Sequence, residues 1–320
     1  MSPDHQTARA AGILLGYLAD RVLADPRRGH PVAGFGRAAA RLERLLYADS
    51  RARGATYAGI LVGSSLAVGV AVERASRRHP LASVAATAGA TWAVLGGTTL
   101  EREAQAVQAH LAAGALPAAR QRLTHLVGRE TSRLDEPEIA RAVIESVAEN
   151  SSDAVVAPLL WGALLGVPGM LGYRAANTLD AMVGHRSARY ARFGWAAARL
   201  DDLLNLPAAR LSALLAAGAA RTVGGSSRRS LRVWRRDGRH HPSPNAGPVE
   251  AAFAGALDLT LGGVNDYAGR VEDRHTLGDG PAPSGHDIER AVVLARRVSA
   301  AAVVAAAVIG AARRAPRPGR

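Results

Sequence analysis

Long stretches without charged residues alternate with polar stretches along the chain, and their lengths predict its main elements. Residues 55–72 and 81–100 hold 18 and 20 residues without a charge, close to the roughly 20 residues that a helix needs to cross the hydrocarbon of a bilayer. Both are rich in Ala, Gly, Ser and Thr, which let membrane helices pack closely. We therefore predict two membrane-spanning helices rather than two buried helices of a soluble protein.

Three further apolar stretches extend this pattern. Residues 8–23 are interrupted by Asp20 and lack a strongly basic leader, so we interpret them as a first membrane helix and not as a cleaved signal. Residues 298–312 are bracketed by arginines whose side chains can extend to the membrane interface, which favours a tilted span. Residues 203–220 form another predicted span, although Arg210 lies inside it.

Residues 154–173 also carry no charge, but prolines and glycines interrupt them. Proline removes a helical hydrogen bond, so one straight helix is not expected here. Irregular backbone at membrane depth must line protein or water, which favours a re-entrant hairpin or a broken, cavity-lining helix. The predicted fold class is therefore all-α, a polytopic membrane helical bundle that forms one membrane domain. Its polar segments, expected to carry the chemistry, are residues 24–54, 101–153, 174–202 and 221–297.

The net charge and the composition of the chain indicate which classes of binding partner it favours. Basic residues exceed acidic ones by 40 − 27 = 13, which favours anionic partners such as lipid headgroups or phosphorylated substrates. Aromatic residues make up only 4% of the chain and no nucleic-acid-binding motif occurs, so we expect no nucleic-acid partner. Residues 221–241 carry seven Arg against one Asp, a pattern typical of a cytoplasmic loop that faces lipid.

Two residue types are missing altogether. The chain has no Cys, which excludes disulfides, thiolate nucleophiles, Fe–S clusters and Cys-ligated zinc. It also has no Lys, so all 40 basic residues are Arg, and neither a Walker A loop nor a lysine Schiff base can form. ATP chemistry in this chain would have to rely on Arg, backbone amides and Mg²⁺ held by carboxylates.

A helix with a well-defined start is predicted before the interrupted apolar stretch. Asp135 can cap it, Pro137 suits the first turn, and Glu138 stands where a capping box needs it. The pattern of apolar residues continues at helical spacing to about residue 150. We therefore place a helix from this cap to the edge of the apolar stretch.

Charged residues recur every four positions along this helix, at Arg141, Glu145, Glu149 and Asp153. Such residues share one face, which leads to the mouth of the apolar stretch. The simplest explanation is a solvated face with an Arg141–Glu145 pair, which is common and stabilises little. Because ionisable groups beside a membrane segment are costly to keep, we favour a functional role.

More oxygen ligands and arginines follow the apolar stretch. Residues 174–185 and 199–205 combine acidic, amide and arginine side chains within a few helical turns. Mg²⁺–phosphate sites use hard oxygen ligands of this kind. Two loops, residues 24–32 and 127–132, add polar groups suited to phosphate.

Several segments together resemble one family. The series GHPV, GRETSRLDEPEI, ESVAENSSDAVVAPLLW, GVPGMLGYRAANTLDAMVGHR, RYARFGWAAARLDDLLNLPAARL, SPNAG and LGGVNDY resembles the adenosylcobinamide-phosphate synthases of cobalamin biosynthesis, the CobD/CbiB family. The motifs occur in family order and are densest from Val127 to Leu211.

The resemblance implies a multi-pass enzyme of the cytoplasmic membrane whose active site faces the cytoplasm. Its substrates would be cobyric acid, a corrinoid that is not a cofactor here, and (R)-1-amino-2-propanol or its O-phosphate; ethanolamine also remains open as the amine. ATP and Mg²⁺ would drive amide formation, and other late enzymes of cobalamin biosynthesis could form a complex with it. The alternative is a corrinoid-docking or transport protein without ligase chemistry, since broken helices also suit transport.

Amide formation needs phosphate binding, charge neutralisation and a base for the amine. We expect Glu149, Asp153, Asp180 and Asp201 to be catalytic, as Mg²⁺ ligands or acceptors of the ammonium proton. The candidate Mg²⁺ ligands are Glu145, Asp153, Asp180 and Asp202. Arginines would hold phosphates and amides would orient the substrate. The predicted substrate-binding residues are His30, Arg129, Thr131, Ser132, Asn150, Arg174, Asn177, Arg199, Asn205 and Asn245.

Overall fold

The computed structural model describes residues 3–26, 29–185, 187–267 and 270–312, and within them helices dominate. The α-helices are α1 (Pro3–Leu23), α2 (Pro31–Leu46), α3 (Arg51–Ser76), α4 (Pro80–Val94), α5 (Gly97–Ala112), α6 (Leu116–Leu123), α7 (Glu136–Ser151), α8 (Ala157–Leu179), α9 (Trp195–Ala219), α10 (Ser227–Asp237), α11 (Ala246–Leu257) and α12 (Gly285–Ala312). Short π-helices cover Ser152–Val156 and Asp180–Gly184, and a 3-10 helix covers Ala220–Val223. The prediction of a helical bundle is confirmed.

One small sheet departs from the all-α expectation. The strands β1 (Leu261–Tyr267) and β2 (Arg270–Leu277) pair antiparallel, where the sequence indicates only a turn-rich segment. Gly262 and Gly263 both have positive φ angles of 76° and 86°, and the register shifts between Gly262 and Val264. The glycines therefore lie at a bulge within a strand. From the sequence alone, a glycine-rich segment of this kind is read as a turn.

Among the described residues, five helical segments are long and apolar enough to cross a membrane, which supports a multi-pass membrane protein. Each of the predicted stretches 55–72, 81–100, 154–173, 203–220 and 298–312 lies inside one of the five, whereas 8–23 lies in α1, which is not among them. The candidate spans are Arg51–Ser76, Pro80–Ala112, Glu136–Gly184, Trp195–Val223 and Gly285–Ala312.

Within the described residues the contacts group into two compact units. Unit 1 holds residues 3–96, 157–205 and 302–312, and unit 2 holds residues 97–156 and 206–301. The sequence suggests a single membrane domain because the apolar stretches are spread over the whole chain. Chain order alone does not reveal that distant segments share a unit.

The break in α8 lies at Gly166 in unit 1. This residue has φ 73° and ψ −154°, a region that is essentially open to glycine alone, and Pro168 follows it. The freed Val167 N–H donates to Glu73 Oε1 at 3.0 Å, and Arg9 contacts the same oxygen at 3.4 Å. The broken helix predicted from the sequence is thus the form observed, and a carboxylate from α3 satisfies its backbone.

We expect Gly166→Ala to destabilise the protein by about 1–3 kcal/mol. A Cβ at this position would collide with the Glu73 carboxylate and approach the Arg9 guanidinium. Gly63→Ala on α3 is the matched control, because a Cβ there meets open space and Ala favours a helix over Gly by about 1 kcal/mol. Thermal unfolding in one detergent compares them; equal midpoints for the two variants would contradict this explanation of the break.

Unit 2 is built around α7 and α11. The predicted capping box is confirmed, because Glu138 N–H donates to Asp135 Oδ1 and Asp135 N–H donates to Glu138 Oε2, each at 2.9 Å. Every residue of α11 is buried, and α11, α7 and β1 all contact one another. The polar side chains that these elements carry are consequently enclosed.

The arginine-rich stretch predicted as a lipid-facing loop contains α10. Arg228, Arg232 and Arg235 lie exposed along it, whereas Ser230 and Val233 are buried against the rest of unit 2. The helix begins four residues after a candidate span that ends at Val223. Its position beside a span agrees with the pattern used in the prediction, and its contact with lipid stays a prediction.

Candidate functional site

Glu145, in the predicted row of charges, does not pair with Arg141. Glu145 is only 1% exposed, and its Oε2 accepts from Arg129 Nη2 at 2.5 Å. Its Oε1 accepts from the Gly262 backbone N–H at 2.8 Å. Arg141 instead donates to the Gly262 carbonyl oxygen. The explanation as a solvated helix face with an Arg141–Glu145 pair is therefore wrong, because this face is covered by the β1–β2 hairpin.

Arg129 connects three parts of unit 2. It is buried in the loop before α7, and besides Glu145 it binds Asn265 Oδ1 on β1 through Nη1 at 2.6 Å. Within the hairpin, Gly262 lets the two strands pair closely, since a Cβ there would collide with the His275 carbonyl on β2. Arg129 and Glu145 were predicted as site residues, whereas Asn265 was missed, although it lies in the quoted motif LGGVNDY.

Glu250 is a second buried carboxylate that the sequence analysis missed. It lies on α11, is 0% exposed, and neither carboxylate oxygen has a hydrogen-bond donor among the described residues. Arg274 Nη1 lies 3.6 Å from Oε1, and His241 Nε2 lies 3.8 Å from Oε2. Burial raises the pKa of Glu250 well above its ordinary value, and the nearby charges of Glu145 and Glu149 raise it further.

His241 faces this carboxylate in its neutral form. Burial lowers the pKa of His241 to about 4, and the charge of Arg274 lowers it as well. The Ser243 backbone N–H donates to His241 Nδ1 at 3.1 Å, so the ring proton resides on Nε2, which points toward Glu250. We name the seven residues of this enclosed polar group the unit 2 cluster; they are Arg129, Glu145, Glu149, His241, Glu250, Asn265 and Arg274.

The other predicted residues of unit 2 surround the cluster without all belonging to it. Glu149 is half-buried one turn beyond Glu145, and Thr131 is buried while Ser132 is exposed. Asn150 Nδ2 donates to the Ser146 carbonyl at 2.9 Å, so this amide is used within α7. Asn245 Oδ1 accepts from Arg210 Nη1 at 3.1 Å at the start of α11.

Four predicted residues of unit 1 are brought together in one hydrogen-bond network. Asn177 Nδ2 and Asn205 Nδ2 donate to the two oxygens of Asp201 at 3.3 Å and 3.0 Å. Asn205 Oδ1 accepts from the Tyr173 hydroxyl at 2.7 Å, and Asn177 Oδ1 accepts from Arg174 Nη1 at 3.2 Å. Since α8 and α9 supply these side chains, the network fixes the two helices and holds Asp201 as an acceptor.

Three predicted residues stand apart from that network. His30 caps α2 by accepting the Val32 N–H at 3.2 Å, and its Nε2 lies 3.2 Å from Asp25. Arg199 pairs with Asp202 at 3.5 Å on an exposed part of α9. These contacts are those of a helix cap and a surface ion pair, which stabilise locally.

Asp153 and Asp180 share an unusual backbone. Each lies in one of the two π-helices, Ser152–Val156 and Asp180–Gly184. π-Helical turns are costly and occur frequently at functional sites. The π-helical backbone is therefore more direct support for Asp153 and Asp180 as site residues than their spacing in the sequence is.

The described residues contain no group of three or more His, Asp or Glu placed to hold a metal ion. The four proposed ligands are divided, with Glu145 and Asp153 in unit 2 and Asp180 and Asp202 in unit 1, and Glu145 is engaged by Arg129. Mg²⁺ commonly uses one or two carboxylates and takes its other oxygens from phosphate and water. The donors fit that mode and do not fit an all-protein metal cage.

A cavity of about 500 Å³ lies beside the hairpin in unit 2. Arg141, Glu138, Thr260 and the backbone of Gly262 and Gly263 line part of it. Gly262 connects the cavity to the cluster, because its N–H binds Glu145. Cavities of this size commonly hold small ligands.

Comparison with known proteins gives a consistent result. The family model described as CobD/Cbib protein matches residues 13–295. The cobalamin biosynthesis protein CobD of Mycobacterium tuberculosis is 54% identical over 302 residues, 94% of this chain and 96% of the relative. Proteins of the same name from Geobacter metallireducens and Chromobacterium violaceum are 45% and 43% identical, over 85% and 93% of this chain and 87% and 96% of their own lengths. No solved structure matches the chain.

Proposed function

Because this chain belongs to the CobD/Cbib protein family, we propose that it serves cobalamin biosynthesis as an ATP-dependent ligase that forms an amide. The acid is the free propionate of cobyric acid, and the amine is (R)-1-amino-2-propanol or its O-phosphate. The product is cobinamide or its phosphate. The role in cobalamin biosynthesis follows from the family, and the reaction is the proposal.

The observation that carries the proposal is the unit 2 cluster. A purely structural or docking protein gains nothing from Glu250, because a buried carboxylate without a hydrogen-bond donor among the described residues costs about 1–3 kcal/mol of stability. Chains keep such groups where chemistry needs them. Carboxylates beside guanidinium groups are what a reaction with an amine and a phosphate requires.

The chemistry can be written with all atoms balanced. A propionate oxygen attacks the γ-phosphorus of ATP, the bond to the leaving ADP oxygen breaks, and an acyl phosphate forms. The amine nitrogen then attacks the acyl carbon, phosphate leaves, and the protons lost from nitrogen pass to a carboxylate base. Arginine stabilises the phosphoryl oxygens because its guanidinium can bind two of them at once.

Individual residues fit these tasks. Glu149, a half-buried member of the cluster, can take a proton from the amine. Arg174 in unit 1 is the candidate for the phosphate oxygens, because the guanidinium of Arg129 is bound to Glu145 and Asn265. Asp153 in unit 2 and Asp180 in unit 1 are each candidate Mg²⁺ ligands, and Mg²⁺ would screen phosphate charges when bound. The active site would face the cytoplasm, where ATP is present, and the arginine-rich α10 supports that side.

The proposal is tested by an omission series on the detergent-purified protein. We expect ATP consumption and a product of the amide's mass only when cobyric acid, the amine and Mg²⁺ are all present. Leaving out the amine should reduce ATP consumption at least about tenfold. Without the amine the acyl phosphate is not used, and a site that excludes water protects it from hydrolysis, so no further ATP is consumed. Binding of cobyric acid with no product and no ATP consumption would support the docking or transport alternative.

A further inference from the structure

The unit 2 cluster has unequal numbers of opposite charges. Its carboxylates are Glu145, Glu149 and Glu250, and its guanidinium groups are Arg129 and Arg274. His241 is neutral, since its pKa is lowered to about 4 by burial and by Arg274. These seven residues therefore include one more carboxylate than guanidinium groups, and Arg141 donates to Asn265 at their edge through Nη2 at 3.4 Å. A buried excess charge is unfavourable unless a proton or a positively charged ligand balances it.

Glu250 is where a ligand would bind. Glu145 is satisfied by Arg129 and Gly262 at 2.5 Å and 2.8 Å, whereas neither oxygen of Glu250 has a donor. Two polar nitrogens lie 3.6 Å and 3.8 Å from Glu250, beyond the reach of a hydrogen bond. Of these two carboxylates Glu250 is thus the one whose acceptors are unfilled, and His241 Nε2 and Asn265 Nδ2 also lack a hydrogen-bond partner among the described residues.

The chemistry of the balancing ligand follows from this geometry. A metal ion is not favoured, since the described residues include no group of three acidic or histidine ligands placed to hold one. A primary ammonium group carries one positive charge and three N–H donors, which match a carboxylate with two unsatisfied oxygens. Hydrogen bonds between charged groups are also the strong ones in a dry site.

We propose that Glu250 forms the binding site for the primary ammonium group of the amine substrate, with Glu149 beside it. This inference rests on the proposed function for the identity of the amine, but the site itself does not depend on ligase activity. Glu149 is half-buried and can accept a proton from the ammonium: the ammonium becomes a free amine and Glu149 becomes a carboxylic acid. Glu250 positions the nitrogen for that transfer.

Binding is measured by calorimetry on the full-length protein in detergent, without ATP or cobyric acid. The probe is (R)-1-amino-2-propanol, and (R)-1,2-propanediol, which has a hydroxyl in place of the ammonium, is the matched control. Wild type should bind the amine and not the diol. Glu250→Gln keeps the shape and loses the charge, so its affinity for the amine should fall at least about tenfold. Glu289→Gln, at an exposed carboxylate of unit 2, should bind as wild type does.

The unfolding temperature separates a binding role from a structural one. Because the unliganded carboxylate lacks donors, Glu250→Gln should unfold at the same temperature as wild type or above it. A lower unfolding temperature together with unchanged amine affinity overturns the inference, and so does equal affinity of wild type for the amine and the diol. Amine binding that depends on Glu250 upholds it even if the omission series detects no amide, so the two proposals fail separately.

Discussion

Replacing Arg129 by Met should lower the free energy of unfolding by about 3–5 kcal/mol, the cost of leaving a buried partner charge uncompensated. Arg129 and Glu145 are 5% and 2% exposed at their side chains and 2.5 Å apart. The substitution would leave Glu145 with one backbone donor, from Gly262. It would also remove the donor to Asn265 that connects the hairpin to the loop before α7. Chemical or thermal unfolding in detergent measures the loss.

Two variants control this experiment. Arg133→Met removes an exposed arginine of the same loop and should change stability by no more than about 0.5 kcal/mol. The double variant Arg129→Met with Glu145→Gln leaves no unpaired charge and should recover part of the loss. If the double variant loses more free energy of unfolding than the two single variants lose together, burial of an uncompensated charge is the wrong explanation.

Replacing Glu149 by Gln should lower kcat for amide formation by about 10²–10⁴, the range that a positioned acid–base group contributes. Glutamine keeps the size of the side chain and cannot accept the ammonium proton. The raised pKa of Glu250, which Glu149 helps to cause, indicates that the two carboxylates are close. Initial rates of product formation, with the unfolding temperature measured beside them, make the test.

The matched control for Glu149→Gln is Glu136→Gln, at an exposed carboxylate in the first turn of the same helix. We expect its kcat to stay within about twofold of wild type, since surface substitutions of this kind change little. Equal losses in both variants would point to damage of α7. A rate of Glu149→Gln close to that of wild type would remove Glu149 from the proposed proton transfer.

The features that sequence predicted well are local ones. The capping box of Asp135 and Glu138 depends on residues three apart, and the break at Gly166 depends on neighbouring glycine and proline. Span lengths likewise follow from continuous apolar stretches. Each of these is decided within one or two turns of helix, so chain order contains the information.

The features that sequence missed depend on distant segments. Glu145 looked like the partner of Arg141, four residues before it, and instead binds Arg129 and the backbone of Gly262, 117 residues later. Glu250 left one signal, a single carboxylate in the otherwise uncharged stretch of α11. A lone charge among buried apolar residues indicates function, but its partners become visible only when the hairpin is placed against α7 and α11.

The central claim, amide formation through an ATP-activated propionate, is tested most directly by labelling. Cobyric acid with ¹⁸O in its free propionate is incubated with wild-type protein, the amine and Mg-ATP, and the masses of phosphate and product are recorded. Activation as an acyl phosphate transfers one ¹⁸O to the phosphate released and leaves one in the amide. Amide formation with no ¹⁸O in any product of ATP would contradict it.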